Sequence, residues 1–417
     1  MSSRTPRFFY GFHVVTACFF VLFLCWGMVL NTFPIFVKPI SVDMNWSRGA
    51  LSLALLMGSV GSALMAPIAG VLLDRIGARP VMATGAAVIG LGLLGGSLIS
   101  QLWQLYIVFA VIGCGLMCST AIPCSLVISN WFVSRRGTAM GVAFAGTSVG
   151  GMVMAPIANW IILTWDWRAA FVFSGITIIA LAVPLILLVI RTHPSEMGLE
   201  PYRRGETDDE SDENTWGVSL RSSFSLAVFW QISAIMFVIG LVTSGLGTHC
   251  VAYLTDLEHS PTSAAWAWST VMGVMIVGIL LSGPIADRWG AKNAMIIDCT
   301  IFAVSIVVLA WARPYSVVLL FAVIYGLALG APLVINPLLT GHYLGMRNFG
   351  AIFGVLNILA TVGAALGPVG AGIFFDTQKT YLPVFYFFAA LMLATAMLTM
   401  FLKVIPERRP GFIREPI

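Results

Sequence analysis

Charge is what this chain of 417 residues lacks: Asp, Glu, Lys and Arg make up 10% of it, against 59% hydrophobic residues. A soluble domain carries about 25% charged residues, so the polar surface needed to stay in water is missing. Apolar–polar alternation is missing too. The apolar runs are continuous, which excludes β-barrel strands and leaves helices, whose backbone groups satisfy one another in hydrocarbon. The seven cysteines (Cys18, Cys25, Cys114, Cys118, Cys124, Cys250 and Cys299) show no metal-ligand spacing; they are expected to pack helices rather than to form disulfides or bind ions. No glycine loop followed by Lys-Ser/Thr is present to hold a nucleotide. Nor do the runs hold paired catalytic carboxylates, a His/Asp metal set or a nucleophile with its base. An enzyme and direct ATP drive are therefore not expected, and neither is a cofactor, a metal or a nucleic-acid partner.

Twelve apolar spans are present, at about 10–37, 48–73, 80–100, 104–128, 137–163, 168–190, 225–253, 262–286, 294–312, 316–340, 350–374 and 381–403. Each approaches the roughly 20 residues that cross a hydrocarbon core. The first is too long for a signal-peptide core and lacks a small-residue cleavage site, so it reads as a retained span. Between the sixth and seventh spans lies a polar stretch with the acidic cluster "DDESDE", which reads as a solvated flexible linker. The expected organisation is an N-terminal bundle of six helices (1–192), a linker (193–222) and a C-terminal bundle of six helices (223–417). Most of the 22 Lys and Arg residues fall on the side shared by both termini, which places the termini in the cytoplasm. The expected location is a multi-pass cell membrane protein, in the inner membrane if the source is a Gram-negative bacterium.

The chain repeats itself. "GVLLDRIGAR" at Gly70–Arg79 reappears as "GPIADRWGAK" at Gly283–Lys292, 213 positions later. The same offset carries Gly137 onto Gly350, Gly141 onto Gly354, and Ser47 onto Ser260, both read as helix N-caps. One offset at several separate points predicts two six-helix bundles related by a pseudo-two-fold axis along the membrane normal. The fold class is thus an all-α polytopic membrane protein with 12 transmembrane helices.

The decapeptide pair resembles the signature loop of the major facilitator superfamily, where it joins the second and third spans of each half. Within that superfamily "FYGFHVV" from Phe9, "NWFVSRRGTAMGVAFAGTSVGG" from Asn130 and "THCVAYLTDLEHSP" from Thr248 look like the monocarboxylate-porter branch, particularly its bacterial members. The resemblance implies a conformational latch made of Gly70, Asp74, Arg75, Gly77 and Arg79 with Gly283, Asp287, Arg288, Gly290 and Lys292. Each aspartate would favour the positive N-terminal end of a helix in the other half while the cytoplasmic side is closed. The basic residues also fix topology.

The resemblance further implies a central site, between the halves, lined by the first, fourth, seventh and tenth spans. Porters of monocarboxylates commonly offer a cation in the eighth span, often beside an aspartate. Here that span, "AAWAWSTVMGVMIVGILLSG", has neither. A neutral polar set remains. Polar groups within a membrane are costly and so are read as functional: Asn31 in the first span, His249 and Tyr253 in the seventh, Tyr325 and Asn336 in the tenth, and Asn357 in the eleventh. Each has a plainer reading as helix-packing or hydrogen-bonding glue. His249 is also the candidate proton carrier. Asp298, the acid within a span, reads as an interfacial partner of Arg288 or Lys292.

The expectation is a secondary transporter that moves a small organic anion, monocarboxylate-like, by alternating access with a proton as co-substrate. The alternative is a proton-driven exporter of drugs or other lipophilic molecules. The expected partners are the small-molecule substrate, the proton and the lipid bilayer, with the monomer as the working unit.

Overall fold

The structure is a computed structural model that describes residues 9–46, 48–203, 216–378 and 380–403. The chain divides into two compact units, Met1–Glu206 and Thr207–Ile417. The first holds α1 (Gly11–Val29), α2 (Phe33–Met44), α3 (Arg48–Ile76), α4 (Ala78–Gly96), α5 (Leu102–Ser119), α6 (Ala121–Trp131), α7 (Arg136–Thr164), α8 (Trp167–Thr177) and α9 (Val183–Val189), the last two joined by one π-helical turn. The second holds α10 (Leu220–Ser223), α11 (Ala227–Asp256), α12 (Pro261–Ala310), α13 (Tyr315–Gly330), α14 (Pro332–Leu344), α15 (Phe349–Gln378) and α16 (Leu382–Met400).

Among the described residues, eleven helical stretches are long and apolar enough to cross a membrane. One of them, Trp266–Ala310, runs for 45 residues, about 67 Å at 1.5 Å per residue and twice a hydrocarbon core. It lies within α12 and breaks at Gly290, where φ is 81° and ψ 150°. That stretch crosses twice, so each unit supplies six crossings. The protein is an all-α, 12-helix membrane protein. The first span differs from its expected continuous form. It is interrupted at Leu30–Thr32, and α2 then restarts with a proline in its first turn, where the missing N–H costs no helical bond.

The duplication extends to individual contacts. In the first unit α1 packs on α7 with Gly27 against the Gly150 backbone, and α3 packs on α5 with Gly113 against the Gly58 backbone. The offset of 213 turns Gly27 into Gly240 and Gly113 into Gly326. Gly240 meets the Ala360 backbone where α11 packs on α15, and Gly326 meets the Val271 carbonyl where α12 packs on α13. Small residues allow helices without a hydrophobic drive between them to gain close van der Waals contact. All seven cysteines are free thiols, six of them buried and Cys114 partly so. Of the two serine caps, Ser260 accepts from Ser263 N–H at 3.1 Å, while Ser47 lies outside the described residues.

The flanks of the polar segment are docked. On one side Tyr202 N–H donates to the Trp131 carbonyl (2.8 Å), and the Tyr202 carbonyl accepts from Val133 N–H and Ser134 N–H at 3.2 and 3.1 Å. On the other side Val218 N–H donates to the Leu344 carbonyl (3.1 Å), and the Trp216 carbonyl accepts from Met346 N–H and Arg347 N–H at 2.9 and 3.4 Å. The loop atoms used in the two units correspond under the offset of 213, yet the bridge Phe132–Tyr202 is parallel and Gly217–Gly345 antiparallel. The acidic cluster lies outside the described residues.

Candidate functional site

His249 is the best-organised of the polar residues expected in the spans. It sits half-buried near the end of α11 and reaches two other helices of its unit. Its Nε2 lies 2.9 Å from the Pro368 carbonyl of α15, and its Nδ1 lies 3.1 Å from the Tyr381 hydroxyl at the start of α16. A carbonyl can only accept, so Nε2 carries a hydrogen. In the neutral ring Nδ1 then accepts from the Tyr381 O–H. If the ring gains a proton, Nδ1–H donates and the same hydroxyl turns to accept.

Aromatic rings enclose this group. Tyr381 stacks on Phe375 with centroids 4.3 Å apart, and Tyr253, one turn beyond His249, meets Phe385 edge-on at 5.0 Å. Tyr253 is 4% exposed, and its hydroxyl has no partner among the described residues. The Asn336 Oδ1 in α14 and the Trp26 Nε1 in α1 are buried without partners in the same sense. Such atoms cost free energy unless something binds them. They are the places where a polar ligand atom or a water would be most strongly held.

The remaining candidates are engaged in packing. Asn31 lies at the break between α1 and α2; its Nδ2 donates to the Thr147 carbonyl of α7 (2.9 Å) and it lies flat on Gly151. Its residue surface is otherwise exposed. Asn357 Nδ2 donates one turn back to the Phe353 carbonyl (2.8 Å). Tyr325 is fully buried among Phe321, Phe302 and Trp268, with its hydroxyl 3.4 Å from the Thr243 carbonyl. The structure brings His249 and Tyr253 together and leaves Asn31, Asn357 and Tyr325 in separate interfaces.

The two decapeptides share one backbone device. Gly77 (φ 83°) and Gly290 (φ 81°) occupy the left-handed region at equivalent positions. Ala78 N–H, freed at the start of α4, donates to Thr192 Oγ1 at 2.9 Å. Lys292 Nζ donates to the Met400 and Leu402 carbonyls at 2.8 and 3.1 Å, placing a cation at the C-terminal end of α16 where the helix dipole is negative. Gly70 and Gly283 are buried, Arg75 and Arg288 are exposed, and Arg79 is half-buried with its Nε unpartnered among the described residues.

One expectation fails. Asp298 is no interfacial partner of Arg288 or Lys292. It is 4% exposed, and Lys292 is committed to α16. Six residues separate Lys292 from Asp298, which at 100° per residue puts them on different helix faces.

Sequence reasoning also missed the partners of His249. Tyr381 and the Pro368 carbonyl lie 132 and 119 residues away, and a carbonyl has no sequence signature. The only available signal was a proline inside an apolar run.

Residues 15–259 and 232–416 match the Major Facilitator Superfamily. Monocarboxylate transporter 13 of Rattus norvegicus is 24% identical over 394 residues, covering 94% of this chain and 89% of that protein. Among solved structures, the human organic anion transporter MFSD10 (TETRAN) superposes with a TM-score of 0.72 at 16% identity, covering 95% of this chain and 100% of that one. The proton:xylose symporter XylE superposes with a TM-score of 0.74 at 13% identity, covering 94% and 95%. With both halves matched, the repeated decapeptide in place and no enzyme among these relatives, the chain belongs to the Major Facilitator Superfamily of membrane transporters.

Proposed function

We propose that the protein is a secondary transporter that moves a small monocarboxylate-like anion by alternating access together with a proton, with His249 as the proton's stopping point. The observation that carries the proton role is the wiring of His249, whose two ring nitrogens face a fixed acceptor and a hydroxyl that can reverse its role. Similarity to a monocarboxylate transporter over most of both chains supports the substrate class. An anion that meets no cation in the eighth span is best carried with a neutralising proton. In this reading the substrate contacts come from Asn31, Tyr253, Tyr325, Asn336 and Asn357 as well as His249, and the decapeptides act as the latch that closes the cytoplasmic side. Both termini then face the cytoplasm, as the distribution of Lys and Arg supports, and the monomer is the working unit.

The test is uptake of labelled lactate, pyruvate and benzoate into proteoliposomes with and without an inward proton gradient. The wild type should respond to the gradient, His249→Ala should lose the response, and Tyr381→Phe should keep transport with a shifted pH profile. Gradient-driven uptake that survives His249→Ala removes the proton role.

The missing cation also favours a second reading, a proton-driven exporter of lipophilic molecules. A thermal-shift screen separates the two readings: stabilisation by carboxylates supports the first, and stabilisation by neutral drugs alone supports the second.

A further inference from the structure

Asp298 is a carboxyl group in the wrong place for a charge. It lies in α12, eight residues past the break at Gly290, which is about 12 Å along the helix at 1.5 Å per residue. Only 4% of the residue is exposed, and Oδ2 is buried with no hydrogen-bond partner among the described residues. An ionised carboxylate cannot be held in such surroundings without a cation or several donors.

Neither is present. The elements packed against α12 are chiefly α13, α14 and α16, with a smaller contact from α11. The titratable groups of α13 are Tyr315 and Tyr325, those of α14 are His342 and Tyr343, and that of α16 is Tyr386; none of the three helices contains Lys, Arg, Asp or Glu. From α11 come His249, which is bound to α15 and Tyr381, the Cys250 thiol, Tyr253 and Asp256. On α12 itself Asp287 and Arg288 precede the break, Lys292 is held by carbonyls of the α16 end, and Cys299 adjoins Asp298 in the chain.

The surroundings are also asymmetric between the repeats. The offset of 213 sets Asp298 opposite Gly85, and Gly85 packs directly on the Gly115 carbonyl and Cys118 of α5. The first unit closes this interface with a hydrogen atom; the second inserts a carboxyl group. Side chains on a helix lean toward its N-terminus, so the carboxyl leans over Ala294 and Ala291, one and two turns back. Beyond them the helix reaches Gly290, beside which there is open space within 4 Å. Ala294 and Met295, one turn back, are both buried, so in this state the acid is sealed from that end of the helix.

We infer that Asp298 is a proton-binding site of the C-terminal unit, occupied as a neutral carboxylic acid while its packing is closed and emptied only when that packing opens to water. The inference deepens the proton-coupled reading by giving this unit a second proton-holding group besides His249. It is tested without substrate, so that its failure and the failure of that reading are distinguishable.

The first measurement is infrared spectroscopy of the purified full chain at neutral pH, comparing wild type with Asp298→Asn. The wild type should show the carbonyl stretch of a buried protonated acid, shifted by deuterium with slow exchange, and Asp298→Asn should lack it. A wild-type spectrum with no such band overturns the inference whether or not the variant folds.

The second measurement is the pH dependence of unfolding in detergent. The acid is neutral when folded and ionised when unfolded, so the native state binds the extra proton and stability falls as pH rises. Relative to Asp298→Asn, the wild-type folding equilibrium should weaken about tenfold per pH unit above the ordinary carboxylate range, until the folded-state acid itself ionises. Parallel profiles for the two proteins between pH 5 and 8 also overturn it.

Discussion

Replacing Gly77 by alanine should be more damaging than the same change at its repeat partner Gly290, and the reason can be read from one oxygen atom. Both glycines have φ above 80° with extended ψ, a region where a side chain costs about 1–3 kcal/mol. At Gly290 nothing lies within 4 Å of the added methyl group, so that strain is the whole effect. At Gly77 the methyl group would come 2.8 Å from Thr192 Oγ1, which must move. That oxygen accepts from Ala78 N–H, and Ala78 is fully buried. Leaving a buried N–H unpaired costs about 1–3 kcal/mol, so Gly77→Ala should lose about 2–6 kcal/mol in all. Thr192→Val keeps the volume and removes the acceptor, isolating the second part at about 1–3 kcal/mol. Thermal unfolding in mild detergent, followed by the fluorescence of a thiol-reactive dye, gives the order. One kcal/mol moves the midpoint by about 2–4 °C for a unit of this size. The reasoning is refuted if Gly77→Ala is no worse than Gly290→Ala, or if Thr192→Val keeps the wild-type midpoint.

Two further outcomes follow from other contacts. Asp43 at the end of α2 accepts from Arg168 at 2.7 Å and from Trp167 Nε1 at 2.9 Å; these bonds, Arg168 first, hold its carboxyl below the usual value of 3.8. A depressed acid contributes while ionised, so the clasp should be intact at neutral pH and lost as pH falls through that lowered value; nuclear magnetic resonance of labelled Trp167 should show its indole N–H released only under such acid, and Asp43→Asn should abolish the transition. Gly345→Ala would drive a methyl group into the Gly217 Cα and the Trp216 carbonyl at φ 81°; limited proteolysis within 193–222 should accelerate several-fold, and an unchanged rate would show that the docked flank does not protect the segment.

The layout of the molecule was legible because hydrocarbon leaves few options. Long apolar runs must be helices there, and a motif repeated at one offset fixes a duplication. Even the glycine contacts follow that offset, since Gly27 and Gly240 do the same work. What could not be read was direction around a helix axis. Asp298 and Lys292 are neighbours in sequence and diverge in space, and His249 finds Tyr381 and Pro368 through helix packing that no local pattern encodes. The break at Leu30–Thr32 did leave a sign, Asn31 and Thr32 just before Pro34, but the apolar runs on either side read as one continuous span.

The docked flanks carry a lesson about inheritance. The loop after α6 and the loop after α14 offer the same three backbone atoms, two amides and a carbonyl, although Phe132 stands in one and Gly345 in the other. Tyr202 reads that edge in one direction and Trp216–Val218 read it in the other. A row of peptide groups is indifferent to which way its guest runs and to which side chains the guest bears. When the ancestral half was copied, the new joining segment therefore needed no invented contacts; it could settle on an edge that each copy already possessed. Selection at these positions should act on peptide register, and the letters around them are free to drift.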